Sequence, residues 1–298
     1  MHEPRWAIVQ YRSIGSTVVQ VGLLVGDKVY EFPFDFAGSL LDLLGRWDEM
    51  APRLRAFSID DLTRTVPDCE LLAPLTYPAK VICAGANYSD HVAEMKVPQP
   101  DPATPPFFFL KPPSTTVIGP GVPVPYPPGD GVQLDWEVEL GVVIAHRVRD
   151  LEPDDVPAHV AGYVVANDIS ARGRLLRPAD RDTPFAWDWL AAKGMNGSCP
   201  IGPGLVPSWL VADPQNLGIR LAVNGVLKQN SSTAKMIAPI NRIVSTASWL
   251  VTLEPGDLVL TGTPAGVGAP RGEFLGPGDI VVAQIDEIGE LRNPVATS

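Results

Sequence analysis

Residues 136–145 read WEVELGVVIA, and this run decides the fold class. Alternation that passes into an unbroken apolar stretch marks a strand entering a core. Glu137 and Glu139 stand two apart on it, so the strand's period of two sends both to one face. A Glu-x-Glu pair taken alone suits the solvent face of a half-exposed sheet. Its continuation through Val142, Val143 and Ile144 does not. What a strand bound for the interior does with two carboxylates is the question from which the rest follows.

A second apolar run, HVAGYVVANDIS over 159–170, reads as another strand. It ends in Asp168, where a carboxylate is out of place unless paired or coordinated. If Glu137, Glu139 and Asp168 converge, each pair some 4–5 Å apart repels by about 4 kcal/mol at an effective dielectric near 20. Three pairs sum to roughly 10 kcal/mol, of the order of a domain's whole stability. Protonation or a cation must relieve that. Three hard oxygen donors without a neighbouring Cys or His favour Mg²⁺, with Mn²⁺ or Ca²⁺ also suited, over zinc. An octahedral ion held by three carboxylates keeps open positions for water and substrate.

The flanking sequence is turn-rich. Residues 17–32 read as a hairpin about Gly26-Asp27, and 218–230 as a hairpin about Asn224-Gly225. Residues 39–47 predict a short helix capped by Ser39, and 87–95 one or two helical turns. PINRIVSTASWLVTL (239–253) predicts the clearest helix, with Pro239 at N1 and Val251 on its apolar face. Residues 81–85, 106–115, 255–264 and 277–285 read as further strands, and the prolines of 97–106 enforce a loop. With 32 Pro and 27 Gly dispersed among short Val/Ile-rich runs, the expected class is mainly β with short helices (α+β).

Composition excludes several functions. A net charge of −11 lacks the basic stripe of a nucleic-acid binder, and no apolar run reaches the roughly 18 residues of a membrane span. The first residues do not resemble a signal peptide. Three scattered cysteines, Cys69, Cys83 and Cys199, suit reduced thiols and a cytoplasmic location better than disulfides or a zinc site.

Other residues could carry chemistry. His91 and Glu94 are three apart, so on a helical turn Glu94 can orient the imidazole and raise its basicity. A surface ion pair has the same spacing. Lys111 follows the aromatic run of 107–109, and Lys193 sits in WLAAKGMNGSCP. Each could answer an acidic cluster or a substrate carboxylate, or lie along the surface. The loop TGTPAGVG (261–268), with Gly262 and Thr263, could hold an anion on its backbone N–H groups, but it lacks the ending of a P-loop.

The segments CAGANYSDHVAE (83–94), FFLKPPST (108–115), DWEVELGVVI (135–144), GYVVANDISAR (162–172), CPIGP (199–203) and LEPGDLVLTGTPAGVG (253–268), in this order, resemble the fumarylacetoacetate hydrolase family. The resemblance covers about residues 78–298. It implies a small N-terminal β-rich domain over 1–77 and a catalytic domain over 78–298 of mixed β-sandwich or β-roll form, working as a homodimer. It assigns Glu137, Glu139 and Asp168 to a divalent metal, His91 and Glu94 to water activation, and Lys193 to developing negative charge. Tyr88, Lys111, Gly262 and Thr263 are assigned to the substrate, a small anionic 2-oxo acid.

The reaction implied is metal-dependent hydrolysis of a C–C bond in an acylpyruvate or related 1,3-diketo acid, through a metal-stabilised enolate. Decarboxylation, isomerisation or dehydration of an oxaloacetate-like or ring-fission 2-oxo acid uses the same centre. Two departures, Ala86 for a basic or bulky residue and Gly194-Met195-Asn196 for Ser-Phe-Asp, favour instead a repurposed member that binds metal and ligand without turnover. The distal half of the substrate is expected against 95–106 and 171–198.

Overall fold

The structure is a computed structural model and describes residues 6–101 and 103–297. The opening five residues, part of the stretch read as unlike a signal peptide, lie outside the described residues, as do Pro102 of the proline-rich loop and Ser298.

The chain is mainly β with few short helices. The N-terminal region supplies β1 (Trp6–Ser13), β2 (Gln20–Val25), β3 (Lys28–Glu31) and β4 (Cys69–Leu71), with helices α1 (Leu40–Leu44) and α2 (Trp47–Ala56). Next come β5 (Val81–Gly85), α3 (Ser89–Glu94), β6 (Phe107–Lys111), α4 (Pro113–Thr116), β7 (Val117–Ile118) and β8 (Leu134–Asp135). The central strands are β9 (Val138–Ile144) and β10 (Val160–Asn167), followed by β11 (Ser170–Ala171), α5 (Trp189–Lys193) and β12 (Cys199–Pro207). The chain closes with β13 (Gly218–Val223), β14 (Val226–Ser232), α6 (Ile240–Leu250), β15 (Leu258–Leu260), β16 (Ile280–Ile285) and β17 (Gly289–Pro294).

One large sheet runs β3-β2-β1-β12-β10-β9-β15-β5-β6, with β4 on β1 and β7 on β12. The β1–β12 pairing, Ile8 opposite Leu205, carries the N-terminal strands into the sheet that holds β9 and β10. A second sheet, β14-β13-β16-β17, and α6 pack on one face of the central strands. Helices α1 and α2 pack on the other.

The local signals explain most elements. Gly26-Asp27 joins Val25 to its partner Lys28, and Asn224-Gly225 joins Val223 to Val226. Asn224 and Gly225 both have positive φ (51° and 78°), as a two-residue turn of this hand requires. Ser39 caps α1 in a reciprocal capping box with Asp42. Helix α6 starts one residue later than expected: Pro239 is its N-cap with extended backbone, and Val251 lies beyond the last turn, also extended.

Strand β9 is buried along its whole length because both its faces are covered. Val138, Leu140, Val142 and Ile144 face the core built with the second sheet. Val143 faces the core built with α1 and α2. Glu139 and Glu137 continue that second face beyond Gly141, where the apolar packing gives way to a cavity. One face of the strand thus passes from core to site within four residues, from Val143 to Glu139.

Candidate active site

The carboxylates converge through strand register. Ala166 of β10 pairs with Glu139 of β9, so Asp168, two residues on, emerges on the same face. The Asp168 N–H donates to the Glu137 carbonyl at 2.8 Å, which fixes the end of the pairing. One oxygen from each of Glu137, Glu139 and Asp168 lies within 4.8 Å of the others, and all three residues are buried.

Protein cations share this charge. Lys193, the last residue of α5, donates to Glu137 Oε2 at 2.8 Å and to Asp168 Oδ2 at 2.6 Å. Lys111 donates to Asp168 Oδ1 and, at 3.1 Å, to the Ile169 carbonyl. Arg172 donates to Glu137 Oε1 and, through Nε at 2.9 Å, to Asp135 Oδ2. Repulsion among the carboxylates therefore does not by itself require a metal, since three cations already stand among the acids. Burial opposes ionisation of Glu137, but the charges of Lys193 and Arg172 outweigh it and hold its pKa well below the usual range. Burial likewise disfavours the Lys193 ammonium, and Asp168 and Glu137 overcome it and hold the amine protonated.

Glu139 differs. It accepts a hydrogen bond from the Gly262 N–H at 2.7 Å, and among the described residues no lysine or arginine bonds it. Burial, then the neighbouring Asp168 and Glu137, push its pKa far above the ordinary carboxylate value. A hard divalent cation between the three carboxylates would supply the charge Glu139 lacks, so the donor set fits Mg²⁺, Mn²⁺ or Ca²⁺. Gly262 has φ +91°, and a Cβ there would stand 2.9 Å from Asn87 Cβ. Only glycine brings this N–H so close to the carboxylate without strain.

His91 lines the same cavity, which has a volume of about 480 Å³. Its Nδ1 lies 3.5 Å from Glu94 Oε2, beyond hydrogen-bond length, and has no hydrogen-bond partner among the described residues. Glu94 Oε2 instead accepts from the Gly266 N–H at 2.9 Å, tying α3 to the 261–268 loop.

The remaining expected residues are placed unequally. Thr263 touches the cavity, but its hydroxyl donates to the Val138 carbonyl and accepts from Gln229 Nε2, both at 2.9 Å. Tyr88 and Lys111 are wholly enclosed and lie behind the cavity wall. Ala86 faces the cavity with φ +51°, while Asn196 is exposed and outside it. Met95 comes from the 95–106 loop, and Leu175, Trp187 and Trp189 from 171–198, to line the cavity.

Sequence reading missed Arg172 and Asp135, although both lie in segments that carry the resemblance. Their signal was charge inside otherwise apolar, buried stretches. Asp135 also accepts from the Gly268 and Ala269 N–H groups at 2.7 and 3.1 Å, so it fixes both Arg172 and the loop. Among the described residues no helix is long and apolar enough to cross a membrane, and all three cysteines are free thiols.

Comparison with known proteins places this site in context. Residues 80–296 match the family model described as fumarylacetoacetate hydrolase C-terminal. A mitochondrial oxaloacetate tautomerase of Xenopus laevis is 37% identical over 307 residues, covering 97% of this chain and 89% of that protein. The structure of a fumarylacetoacetate hydrolase from psychrophilic Exiguobacterium antarcticum superposes with a TM-score of 0.81 at 32% identity, covering 98% of this chain and 100% of that one. A maleylpyruvate hydrolase from Sphingobium sp. SYK-6, in complex with manganese(II) and pyruvate, gives 0.77 at 25% identity, with 97% and 98% covered. With nearly three-quarters of its length matched and enzymes of several reaction types among its relatives, this chain belongs to the fumarylacetoacetate hydrolase family.

Proposed function

We propose that the chain is a divalent-metal-dependent enzyme of 2-oxo acids whose central step is proton transfer at the carbon next to the keto group. The observation that carries this reading is one cavity lined both by His91 and by the three convergent carboxylates. The relative from Xenopus, a tautomerase by name, supports it over nearly the whole chain. Glu137, Glu139 and Asp168 would hold the ion, which when bound polarises a keto oxygen and favours the enol form. His91 takes the proton from C3 on an imidazole nitrogen and returns it to the oxygen on C2, so the interconversion balances without a co-substrate. Lys193 and Arg172 hold Glu137 ionised, and the two charges of the ion would make the polar end of the cavity attractive to an anionic substrate.

Hydrolysis of an acylpyruvate is the second reading, favoured by Glu94 standing 3.5 Å behind His91 Nδ1. Such pairs often close only around substrate, and a closed pair would orient water for attack on the distal carbonyl. The deciding experiment follows enol absorbance of a 2-oxo acid panel and pyruvate release from acylpyruvates in parallel, with Mn²⁺ or Mg²⁺ and with chelator. Chelator-sensitive enol decay alone is expected. Pyruvate release at comparable rate would move the reading to hydrolysis, and no chelator-sensitive change in either would overturn both.

A further inference from the structure

Beyond the carboxylates the cavity changes character. Phe107 and Phe109 on β6, Trp187, Trp189 on α5, Leu175 and Met95 complete its lining. Phe109 and Trp189 stack with centroids 5.2 Å apart and planes 22° apart, and Phe107 stands 5.2 Å from Trp189. The Lys193 ammonium lies 5.1 Å from the Phe109 centroid, so this aromatic wall begins directly beside the acidic cluster.

The aromatic residues of the wall carry no positive charge for a second anionic group. The cations that line the cavity, Arg172 and Lys193, are committed to Asp135, Glu137 and Asp168. A carboxylate placed against the aromatic residues would lose water and gain no cation. Phe107 and Trp187 line the cavity and are 52% and 59% exposed. A flat apolar group would cover them by stacking. The volume of about 480 Å³ falls in the range that accepts ligands much larger than a four-carbon keto acid.

We infer that the substrate's distal group is flat and apolar, an aryl group in the first instance, and that Phe107, Phe109, Trp187 and Trp189 form its subsite. This rests on the reading of the polar end as a metal-dependent 2-oxo-acid site. Calorimetry on the Mn²⁺-loaded full chain tests it with three non-enolising probes that share one chelating head. These are oxamate, N-phenyloxamate and N-oxalylglycine, the last carrying a distal carboxylate.

N-phenyloxamate is expected to bind about 10-fold or more tighter than N-oxalylglycine. Phe107→Ala and Trp187→Ala should each shrink that ratio and leave oxamate affinity unchanged, which also shows that the variants are folded. N-oxalylglycine binding as well as N-phenyloxamate, while oxamate binds, overturns the distal assignment and spares the 2-oxo-acid reading. Failure of oxamate to bind in a Mn²⁺-dependent way removes that reading and this inference with it. Variants that change only the mass seen by light scattering, with all three affinities intact, would make the wall a protein interface and end the inference.

Discussion

The Lys193 ammonium stands 2.6 Å from Asp168 Oδ2 and so holds together two strands' worth of buried acid, since it also reaches Glu137. Removing one member of a buried ion pair leaves an uncompensated charge and costs about 3–5 kcal/mol. Lys193→Met should destabilise the metal-free protein by that amount. A divalent cation would then replace the missing charge, so Mn²⁺ should raise the Tm of the variant by more than it raises that of the parent. Thermal unfolding with and without Mn²⁺ measures both, and equal increments would show that lysine and metal do not act on the same carboxylates.

Glu139 poses the opposite case. Its charge is resisted by burial and by Asp168 and Glu137, and the charge of Lys193 does not outweigh them. Glu139→Gln removes that repulsion and keeps an oxygen to accept from the Gly262 N–H. The metal-free variant should therefore be as stable as the parent or more so. Its Mn²⁺ affinity should fall by more than the roughly 10–100-fold that loss of a supporting residue costs. Normal Mn²⁺ affinity in the calorimeter would refute the assignment of Glu139 to the metal.

What the sequence disclosed and what it hid follow from range. Glu137, Glu139 and Asp168 were legible because a strand's period of two is local and because carboxylates in apolar runs are conspicuous. The turns at Gly26-Asp27 and Asn224-Gly225 were legible for the same reason, as each is set by two adjacent residues. The partners of the acids were not. Arg172 reaches Glu137 across 35 positions and Lys111 reaches Asp168 across 57, and no local pattern encodes such distances. The aromatic wall was hidden too, because Trp187 and Trp189 lie in a segment without periodicity. Family resemblance placed Tyr88 and Lys111 near the substrate, but only packing decides that both lie behind the wall. Likewise the single register Ile8–Leu205, which carries the N-terminal strands into the main sheet, links segments nearly two hundred positions apart.

Asp90 should make the positioning of His91 sensitive to acid. Helix α3 has six residues and cannot stand alone in water. Asp90 holds it by accepting from Ser231 Oγ at 2.6 Å, Lys235 Nζ at 3.1 Å and the Ala265 N–H at 3.3 Å. Burial raises its pKa, but these bonds outweigh burial and leave it below the ordinary value. With the native pKa depressed, the unfolded chain binds more protons, so the contribution is full above the unfolded carboxylate's pKa and fades as pH falls through the native one. Asp90→Asn should cost about 1.5–3 kcal/mol at neutral pH and lower turnover while sparing Mn²⁺ affinity. Urea unfolding across the acid range should show the two proteins converging as pH drops below the ordinary carboxylate range. A difference that stays constant would mean that the charge of Asp90 contributes nothing.

Gln229 lies wholly buried beneath the site and joins the acidic strand to the glycine-rich loop. Its Oε1 accepts from the Val138 N–H at 2.9 Å, between the two glutamates, and its Nε2 donates to Thr263 Oγ1 at 2.9 Å and to the Pro264 carbonyl at 2.8 Å. Gln229→Leu keeps the volume and orphans the Val138 N–H and the Pro264 carbonyl, while Thr263 Oγ1 keeps its bond to the Val138 carbonyl. Each unsatisfied buried group costs about 1–3 kcal/mol, so the variant should lose at least about 2 kcal/mol in urea unfolding. Because Val138 is flanked by Glu137 and Glu139, the same change should weaken Mn²⁺ binding although Gln229 touches no metal. A loss under about 1 kcal/mol would mean that water takes over the lost hydrogen bonds. Strand and loop would then hold the carboxylates in place without this side chain.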